Sequence, residues 1–354
     1  MQSREPFELH IRPVLSGGFV YSNIVKRLKA IMHLTISIKS KGDNYLKSKK
    51  LILPLSLLLV LALLITGTYF LVQYITVLTA DKSWIQDLGY QGDEVHDLGL
   101  DRTGCPVIPI AIAGNKFPFM FDTGSNSGFL LTSELEGKVD YTLLGQTEQL
   151  NRDGSHRGWS KSVSLNHISV FGESYSDIKT TLVDWKMLSS EKFDGTIGLK
   201  YFSSKIITMD YTGRKVAVGN RPIDYSKLNM KKYVVLPLLK SKQDGQENLL
   251  FFEAKLNGKP ITVYLDTGKN ESYLHNPNST YSPSVAKSNT LSRDITIALN
   301  DLDLPLKGLL EAKLAQVTDL ANPVTIELNS DQIKKNNLLV TIDLINQQII
   351  LRRL

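Results

Sequence analysis

Hydrophobic positions along this 354-residue chain form one long uninterrupted run and, after it, many short runs separated by polar turns. The long run, LILPLSLLLVLALLITGTYFLVQYITVLTA at 51–80, contains no charged residue. About 20 apolar residues span a bilayer core, whereas a signal-peptide core has roughly 7–15 and begins near the N-terminus. The pattern therefore predicts one transmembrane helix, which we assign to 51–78.

From Thr103 onward the pattern changes to short apolar runs that are typical of strands. CPVIPIAIAGNKFPFMF contains two such runs broken by Gly114-Asn115-Lys116, and LLFFEAKLNGKPITVYL repeats the arrangement around Asn257-Gly258. Small turn residues between two apolar runs indicate a β-hairpin. We therefore expect a hairpin in each half of the downstream chain.

The two halves also end alike, because KIITMDYTGRKVAVG at 205–219 and NLLVTIDLINQQIIL at 337–351 both read as strand, Asp-containing turn and strand. Self-similarity of this kind indicates two related structural units. The sequence predicts a mainly β fold of two pseudo-symmetric lobes, at 102–224 and 225–354.

Charge is distributed unevenly along the chain. Residues 1–50 carry ten Lys/Arg and three Asp/Glu, a net +7, while residues 81–354 carry a net −1. The basicity therefore belongs to the tail, and the downstream part has no basic surplus for nucleic acid. The positive-inside bias predicts a cytoplasmic tail at 1–50, an acidic linker at 79–101 and an extracytoplasmic C-terminal part. A role for the tail alone at a membrane or nucleic acid is a minor alternative.

Glycosylation sequons refine the expected location. Asn270-Glu271-Ser272 and Asn278-Ser279-Thr280 both fit the acceptor pattern. A glycan on Asn270 would obstruct the loop that begins at Asp266. We therefore expect a bacterial inner-membrane protein facing the periplasm rather than a eukaryotic lumenal one.

The sequence holds one cysteine, Cys105, so no intrachain disulfide can form. With no His within a few residues, Cys105 is expected to be a small core residue at a strand start rather than a nucleophile. We find no metal-ligand cluster, phosphate-binding glycine loop or Ser/His signature, and expect no metal and no cofactor.

The tripeptide Asp-Thr-Gly occurs twice, in FMFDTGSNSGFLL at 119–131 and in VYLDTGKNESYL at 263–274, each time after a strand-like run. Gly allows close backbone approach, and its amide can donate to the carboxylate. Two such loops placed face to face would bring two carboxylates close together, so that the pair keeps one proton. A carboxylate and a carboxylic acid side by side can hydrolyse an amide by general acid–base catalysis.

These residues, together with FDGTIGLKYFSSKIITMDY at 193–211, resemble the pepsin/retropepsin clan of aspartic peptidases over roughly 103–354. The resemblance implies that Asp122 and Asp266 are the catalytic pair. It also implies that Thr123 and Thr267 lock the two loops together through crossed hydrogen bonds.

Four further supporting residues follow from the same resemblance. Gly124 and Gly268 would supply amides to the carboxylates, and Ser125 would hydrogen-bond Asp122 from outside. Gly198 would lie in the segment that crosses behind the first loop. The resemblance thus implies a single-chain protease with two retropepsin-like lobes.

The family also has a β-hairpin flap over the cleft. Here the candidate is 148–170, with a turn signal at Asp153-Gly154. It lacks the Tyr typical of pepsins. Trp159 is the aromatic that would take this place, although packing is the commoner role of a lone Trp.

Two further positions depart from the family pattern. Lys269 stands where a small residue is usual, and its ammonium would shift the working pH, fix a carboxylate in a salt bridge and silence it, or point to solvent. Aligning the closing strands sets Glu327 in the place of Gly198, unless Gly308 fills that role.

The sequence therefore predicts a membrane-tethered aspartic endopeptidase that uses Asp122 and Asp266 to activate water. Its partners would be an extended protein or peptide substrate and the lipid bilayer, with no nucleic acid and a monomeric catalytic unit. The alternative is a catalytically silent module of the same fold that binds peptides, as extended-strand recognition needs no dyad.

Overall fold

The computed structural model describes residues 45–126, 128–150, 156–184, 193–279 and 291–354. The chain divides into two compact units, Met1–Val72 and Gln73–Leu354.

A long apolar helix, α1, runs over Tyr45–Thr79. It is the one helix of the described residues that is long and apolar enough, by length and composition, to cross a membrane. From Leu58 onward, most of its described apolar side chains are exposed, as at Leu58 and Ile65. The hydroxyl of Thr66 donates to the Ala62 carbonyl oxygen at 2.6 Å, so this polar group is satisfied within the helix.

The rest of the described chain is mainly β. Two short helices, α2 (Trp84–Asp87) and α3 (Ser330–Lys335), accompany the strands. The strands, in chain order, are β1 (Val95–Asp97), β2 (Gly99–Leu100), β3 (Pro106–Ile112), β4 (Asn115–Phe121), β5 (Phe129–Thr132), β6 (Thr142–Leu150), β7 (His156–Val170), β8 (Glu173–Val183), β9 (Gly195–Ile197), β10 (Ile206–Asp210), β11 (Lys215–Gly219), β12 (Val234–Leu239), β13 (Leu250–Leu256), β14 (Lys259–Asp266), β15 (Tyr273–His275), β16 (Ser292–Leu299), β17 (Leu302–Ala312), β18 (Val324–Asn329), β19 (Leu338–Asp343) and β20 (Gln348–Arg353).

The strands lie in two sheets. An eight-stranded sheet has the order β2-β3-β4-β9-β5-β8-β7-β6. A twelve-stranded sheet has the order β1-β11-β10-β19-β20-β12-β13-β14-β18-β15-β17-β16. The predicted boundary at 224/225 falls between β11 and β12.

Both predicted hairpins are present, as β3–β4 and β13–β14. Their two-residue turns have positive φ at both positions, 49° and 83° at Ala113-Gly114 and 52° and 77° at Asn257-Gly258. Positive φ at both turn residues matches the right-handed twist of the flanking strands, and Asn and Gly adopt it at little cost. The sequence signal therefore located both hairpins, but it placed the first turn at Gly114-Asn115-Lys116, whereas the turn is Ala113-Gly114 and Asn115 already belongs to β4.

The inner strands of the two halves pair in the same way. β4 pairs in parallel with β9, β9 is antiparallel to β5, and β5 is parallel to β8. The second half repeats this with β14, β18, β15 and β17. In each half, therefore, a strand that leads into an Asp-Thr-Gly loop is flanked by a later parallel strand.

The closing hairpins join the halves. β10–β11 and β19–β20 form as predicted, and β10 pairs antiparallel with β19. At the middle of that pairing Thr208 faces Thr341, and their buried hydroxyls lie 2.8 Å apart. One contiguous cluster of buried apolar side chains draws on both halves.

The segment 79–101, expected to be a linker, instead packs on the β structure. Trp84 is fully buried and donates its indole N–H to Asp210 Oδ2 at 3.1 Å. The buried Arg352 guanidinium binds Asp81 and Asp87. The acidic composition of 79–101 thus misled the prediction of a linker, because two of its aspartates pair with a buried cation.

Candidate active site

The two Asp-Thr-Gly loops begin where the parallel strand pairs end. Asp122 follows β4, and Asp266 is the last residue of β14. β9 ends opposite Phe121, and β18 ends opposite Asp266. Each loop therefore leaves the sheet beside the end of a parallel strand, where polar loop residues gather.

The two loops are locked together by a reciprocal set of buried hydrogen bonds. The Thr123 hydroxyl donates to the Leu265 carbonyl oxygen at 2.9 Å and accepts from the Thr267 amide at 3.0 Å. The Thr267 hydroxyl donates to the Phe121 carbonyl oxygen at 2.7 Å and accepts from the Thr123 amide at 3.1 Å. Four buried backbone groups are satisfied by two hydroxyls, and this fixes the spacing of the loops.

Two glycines let the carboxyl groups approach. The Gly124 amide donates to Asp122 Oδ1 at 2.8 Å, and the Gly268 amide donates to Asp266 Oδ1 at 3.0 Å. A methyl group placed on Gly124 would lie 2.5 Å from Cγ of Asp266, and one on Gly268 would lie 2.3 Å from Cγ of Asp122. Each glycine thus lies against the opposite aspartate.

The two carboxyl groups interact directly. Burial, the negative charge of Asp266 and a hydrogen bond between the two side chains raise the pKa of Asp122 well above its usual value. Two carboxyl groups this close cannot both ionise freely, so the pair holds one proton over a range of pH. The structure therefore brings the carboxyl groups of Asp122 and Asp266 together.

Two other predicted supporting residues lie behind the first loop. The Ser125 amide donates to the Asp122 carbonyl oxygen at 3.1 Å, while a hydrogen bond from its side chain to Asp122 stays a prediction. Gly198 follows β9, and its amide donates to the Gly128 carbonyl oxygen at 2.7 Å. A methyl group on Gly198 would lie 2.4 Å from the Ser125 carbonyl oxygen, so the crossing segment needs a glycine here.

The strand register corrects the proposed counterpart of Gly198. Phe121 lies opposite Ile197, and Leu265 lies opposite Leu328, so the counterpart of Gly198 is Asn329. The alignment that chose Glu327 was wrong by two residues, because TIEL resembles TIGL without sharing its register. Gly308 does not fill the role either, because it lies within β17.

Lys269 does not point away from the site. Its ammonium nitrogen lies 3.1 Å from Asp266 Oδ2 and 2.7 Å from Glu327 Oε1. Burial by itself would lower the pKa of Lys269, but the two carboxylates outweigh burial and raise it above its usual value. Lys269 is therefore a cation held at one side of the pair.

Sequence reasoning missed Tyr264 and gave Glu327 a different role, that of the counterpart of Gly198. Glu327 is buried on β18, and its carboxylate accepts hydrogen bonds from Lys269 and Asn329. The Tyr264 hydroxyl lies 2.6 Å from a methyl group placed on Gly124, beside Asp266. A signal for Tyr264 was available, because residues i and i+2 of a strand share a face. Glu327 is 61 positions from Asp266, and its placement depends on the β14–β18 pairing.

The flap candidate, 148–170, lies within the described residues except at 151–155. β6 and β7 form an antiparallel hairpin in which Glu148 faces Trp159. Asp153 and Gly154 lie outside the described residues. Trp159 is 54% exposed, so it is not a core residue.

Other polar chemistry at the site is limited. Over the described ranges, no group of three His, Cys, Asp or Glu side chains is arranged to hold a metal ion. Cys105 is buried immediately before β3, as expected of a core residue, and burial raises the pKa of its thiol to about 12.

A comparison with protein-family models found no match to this sequence, and a comparison with curated proteins found no similar sequence. The functional interpretation therefore rests on the residues and their geometry.

Proposed function

We propose that this protein is an aspartic endopeptidase with two pseudo-symmetric lobes of the acid-protease fold, tethered to a membrane by α1. The observation that carries the proposal is the pair of Asp-Thr-Gly loops joined by crossed Thr hydrogen bonds, in which each loop glycine lies against the aspartate of the other loop. The matching strand pairings of the two halves support the two-lobed fold.

In the proposed reaction, a water molecule lies between the two carboxyl groups and a peptide carbonyl group. The Asp266 carboxylate takes a proton from the water as its oxygen bonds to the carbonyl carbon. Asp122 gives its proton to the carbonyl oxygen, so a neutral tetrahedral intermediate forms and the pair still holds one proton. No covalent enzyme intermediate is needed.

The intermediate then collapses. Asp122, now a carboxylate, takes back a proton from one hydroxyl group as the carbonyl re-forms. Asp266 gives its proton to the nitrogen, the C–N bond breaks, and an acid and an amine leave. The pair returns to its starting state with one proton on Asp122.

The proposed substrate is an extended segment of a protein or peptide outside the cytoplasm. The β6–β7 hairpin is the element we propose to cover it, because paired strands leave edges to which an extended chain can hydrogen-bond. The tether would keep the catalytic part at the membrane surface.

The test uses the full chain in detergent and a library of unstructured peptides, with cleavage read by mass spectrometry. Asp122→Asn and Asp266→Asn should each lower cleavage by about 10²- to 10⁴-fold, because each removes one of the proton-transfer groups. Asp303→Asn, an exposed aspartate on β17, is the matched control. Undiminished cleavage in both site variants would refute the assignment.

A second function, peptide binding without hydrolysis, is favoured by one observation. Lys269 holds Asp266 in an ion pair, and an anion held this way can be too weak a base. Binding of peptides with no turnover from about pH 3 to 8, the range in which such a pair titrates, would select this function over the first.

A further inference from the structure

We propose that Lys269 and Glu327 are positioning residues that make the two aspartates unequal, keeping the negative charge on Asp266 and the shared proton on Asp122. The inference rests on the proposed function, in which the two aspartates act as a proton-sharing pair. It adds two residues, the placement of the proton and a means of setting the working pH.

The geometry carries the proposal. The Lys269 ammonium bridges Asp266 Oδ2 at 3.1 Å and Glu327 Oε1 at 2.7 Å. Glu327 is further fixed by Asn329, whose side-chain amide donates to the same oxygen at 3.2 Å. An ammonium at this distance favours the ionised form of Asp266. Glu327 holds the flexible lysine side chain in position.

The charged residues of this ion-pair network, Lys269 and Glu327, both lie on the Asp266 side of the pair. Ser125 follows Asp122 at the same offset at which Lys269 follows Asp266. Thr196 lies opposite Met120 in the register that puts Glu327 opposite Tyr264. The first half therefore has neutral residues at both corresponding positions, and the asymmetry is built into the sequence.

Other titratable groups around the pair do not supply charge at the working pH. Burial raises the pKa of each of them above its usual value, so that each stays neutral. These groups are Cys105, Tyr211 and Tyr264. Burial also raises the pKa of Glu327, and Lys269 opposes that rise. Among the described residues, the charges joined to the pair by ion-pair contacts are those of Lys269 and, through Lys269, of Glu327. The charge of Asp101 acts on the neighbouring Cys105 and Tyr211.

The sign of each effect follows from charge. Lys269→Met removes a positive charge, which makes each ionisation of the pair less favourable. Both limbs of the pH–rate profile should therefore shift to higher pH. The expected shift is about one pH unit, the low end for an adjacent charge, because the Lys269 side chain is 42% exposed. Glu327→Gln removes the negative charge that partly offsets Lys269. Both limbs should therefore shift to lower pH, by about half a pH unit.

The experiment records pH–rate profiles of the full chain and these two variants. The double variant Lys269→Met/Glu327→Gln removes both charges and leaves no unpaired buried carboxylate, so it also covers the case in which Lys269→Met fails to fold. Its limbs should lie between those of the single variants. Limbs that do not move, or that move in the same direction in both single variants, would overturn the proposal.

A second readout is independent of turnover. Isotope-edited infrared spectroscopy of the chain labelled with ¹³C-aspartate reports protonated carboxyl groups, and subtraction of the Asp122→Asn spectrum isolates the pair. The titration midpoint of the difference band should rise in Lys269→Met and fall in Glu327→Gln. If these shifts occur but no peptide is cleaved, the role of Lys269 and Glu327 is supported and the peptidase function is refuted. If cleavage depends on Asp122 and Asp266 but the shifts are absent, the peptidase function is supported and the role of Lys269 and Glu327 is refuted.

Discussion

At the scale of single residues, the geometry of the site depends on glycines and threonine hydroxyl groups rather than on large side chains. Gly124 and Gly268 leave room for the opposite carboxyl group, and Thr123 and Thr267 satisfy buried backbone groups across the two loops. An ordinary turn has no need of a glycine that faces a distant aspartate. The doubled Asp-Thr-Gly therefore has a physical explanation that a single copy lacks.

We expect Gly268→Ala to abolish cleavage and to destabilise the fold by about 1–3 kcal/mol, because the added methyl group would overlap the Asp122 carboxyl group. The measurement is thermal unfolding together with the peptide digest. Gly92→Ala is the matched control, since a methyl group there meets no heavy atom within 4 Å. Equal behaviour of the two variants would contradict the close approach of the loops.

Asp122→Asn should stabilise the folded protein even though it removes activity. The raised pKa of Asp122 means that the folded state binds the proton more tightly than the unfolded state. The stabilisation of the folded state by this bound proton is therefore full below about pH 3.8, and it is lost as the pH rises through the raised pKa of Asp122. Unfolding free energies at pH 7 should favour the variant by on the order of 1 kcal/mol.

The pH dependence provides the check on that stability prediction. The difference between Asp122→Asn and the unchanged protein should shrink as the pH is lowered toward 3.8. Asp301→Asn, at an exposed turn position, should show neither the gain nor its pH dependence. A variant that is less stable than the unchanged protein at pH 7 would be inconsistent with a buried, proton-sharing pair.

Elements contribute to the site through their pairing rather than their length. β9 and β15 have three residues each, yet each forms part of the strand crossing that supports an Asp-Thr-Gly loop. The segment 79–101 is likewise short in regular structure but well packed, since β1 pairs with β11 and Trp84 belongs to a second hydrophobic cluster.

Trp84→Ala should therefore cost about 3–5 kcal/mol of unfolding free energy, as expected for removal of a fully buried indole. Trp159→Ala is the matched control, because its side chain is 54% exposed and should change stability by no more than about 0.5 kcal/mol. If the hairpin covers substrate, Trp159→Ala should lower turnover while stability is kept. Equal thermal unfolding midpoints for the two variants would contradict the packing of Trp84.

At the scale of the whole molecule, the β10–β19 pairing and the shared hydrophobic core join the two halves that carry the two aspartates. The charge distribution adds a second large-scale feature, a basic tail before an apolar helix and a nearly neutral remainder after it. Together these features are consistent with the proposed function, in which residues 81–354 are held on one side of a membrane.

The expected topology is testable by cysteine labelling in bacterial spheroplasts with a membrane-impermeant maleimide. Met230→Cys, at a position that is 58% exposed, should be labelled without lysis. Ser40→Cys, in the basic tail, should be labelled only after lysis. The unchanged chain is the background control, because Cys105 is buried. The opposite labelling pattern would place the candidate site in the cytoplasm.

The sequence by itself determined what depends on neighbours along the chain. The apolar helix, the existence of the β3–β4 and β13–β14 hairpins, the closing hairpins and the two Asp-Thr-Gly motifs all follow from local residue type and spacing. These features are encoded within a few residues of each other, so turn chemistry and hydrophobic period are enough to predict them.

Tertiary structure decided what depends on register between distant strands. The position of Asn329 rather than Glu327 opposite Asp266, and the ion pair between Lys269 and Glu327, require the β14–β18 pairing. The burial of Trp84 requires Asp210, which is 126 residues away. The sequence does not distinguish a charged or aromatic residue that is exposed to solvent from one that contacts a distant residue, because that contact forms only in the folded chain.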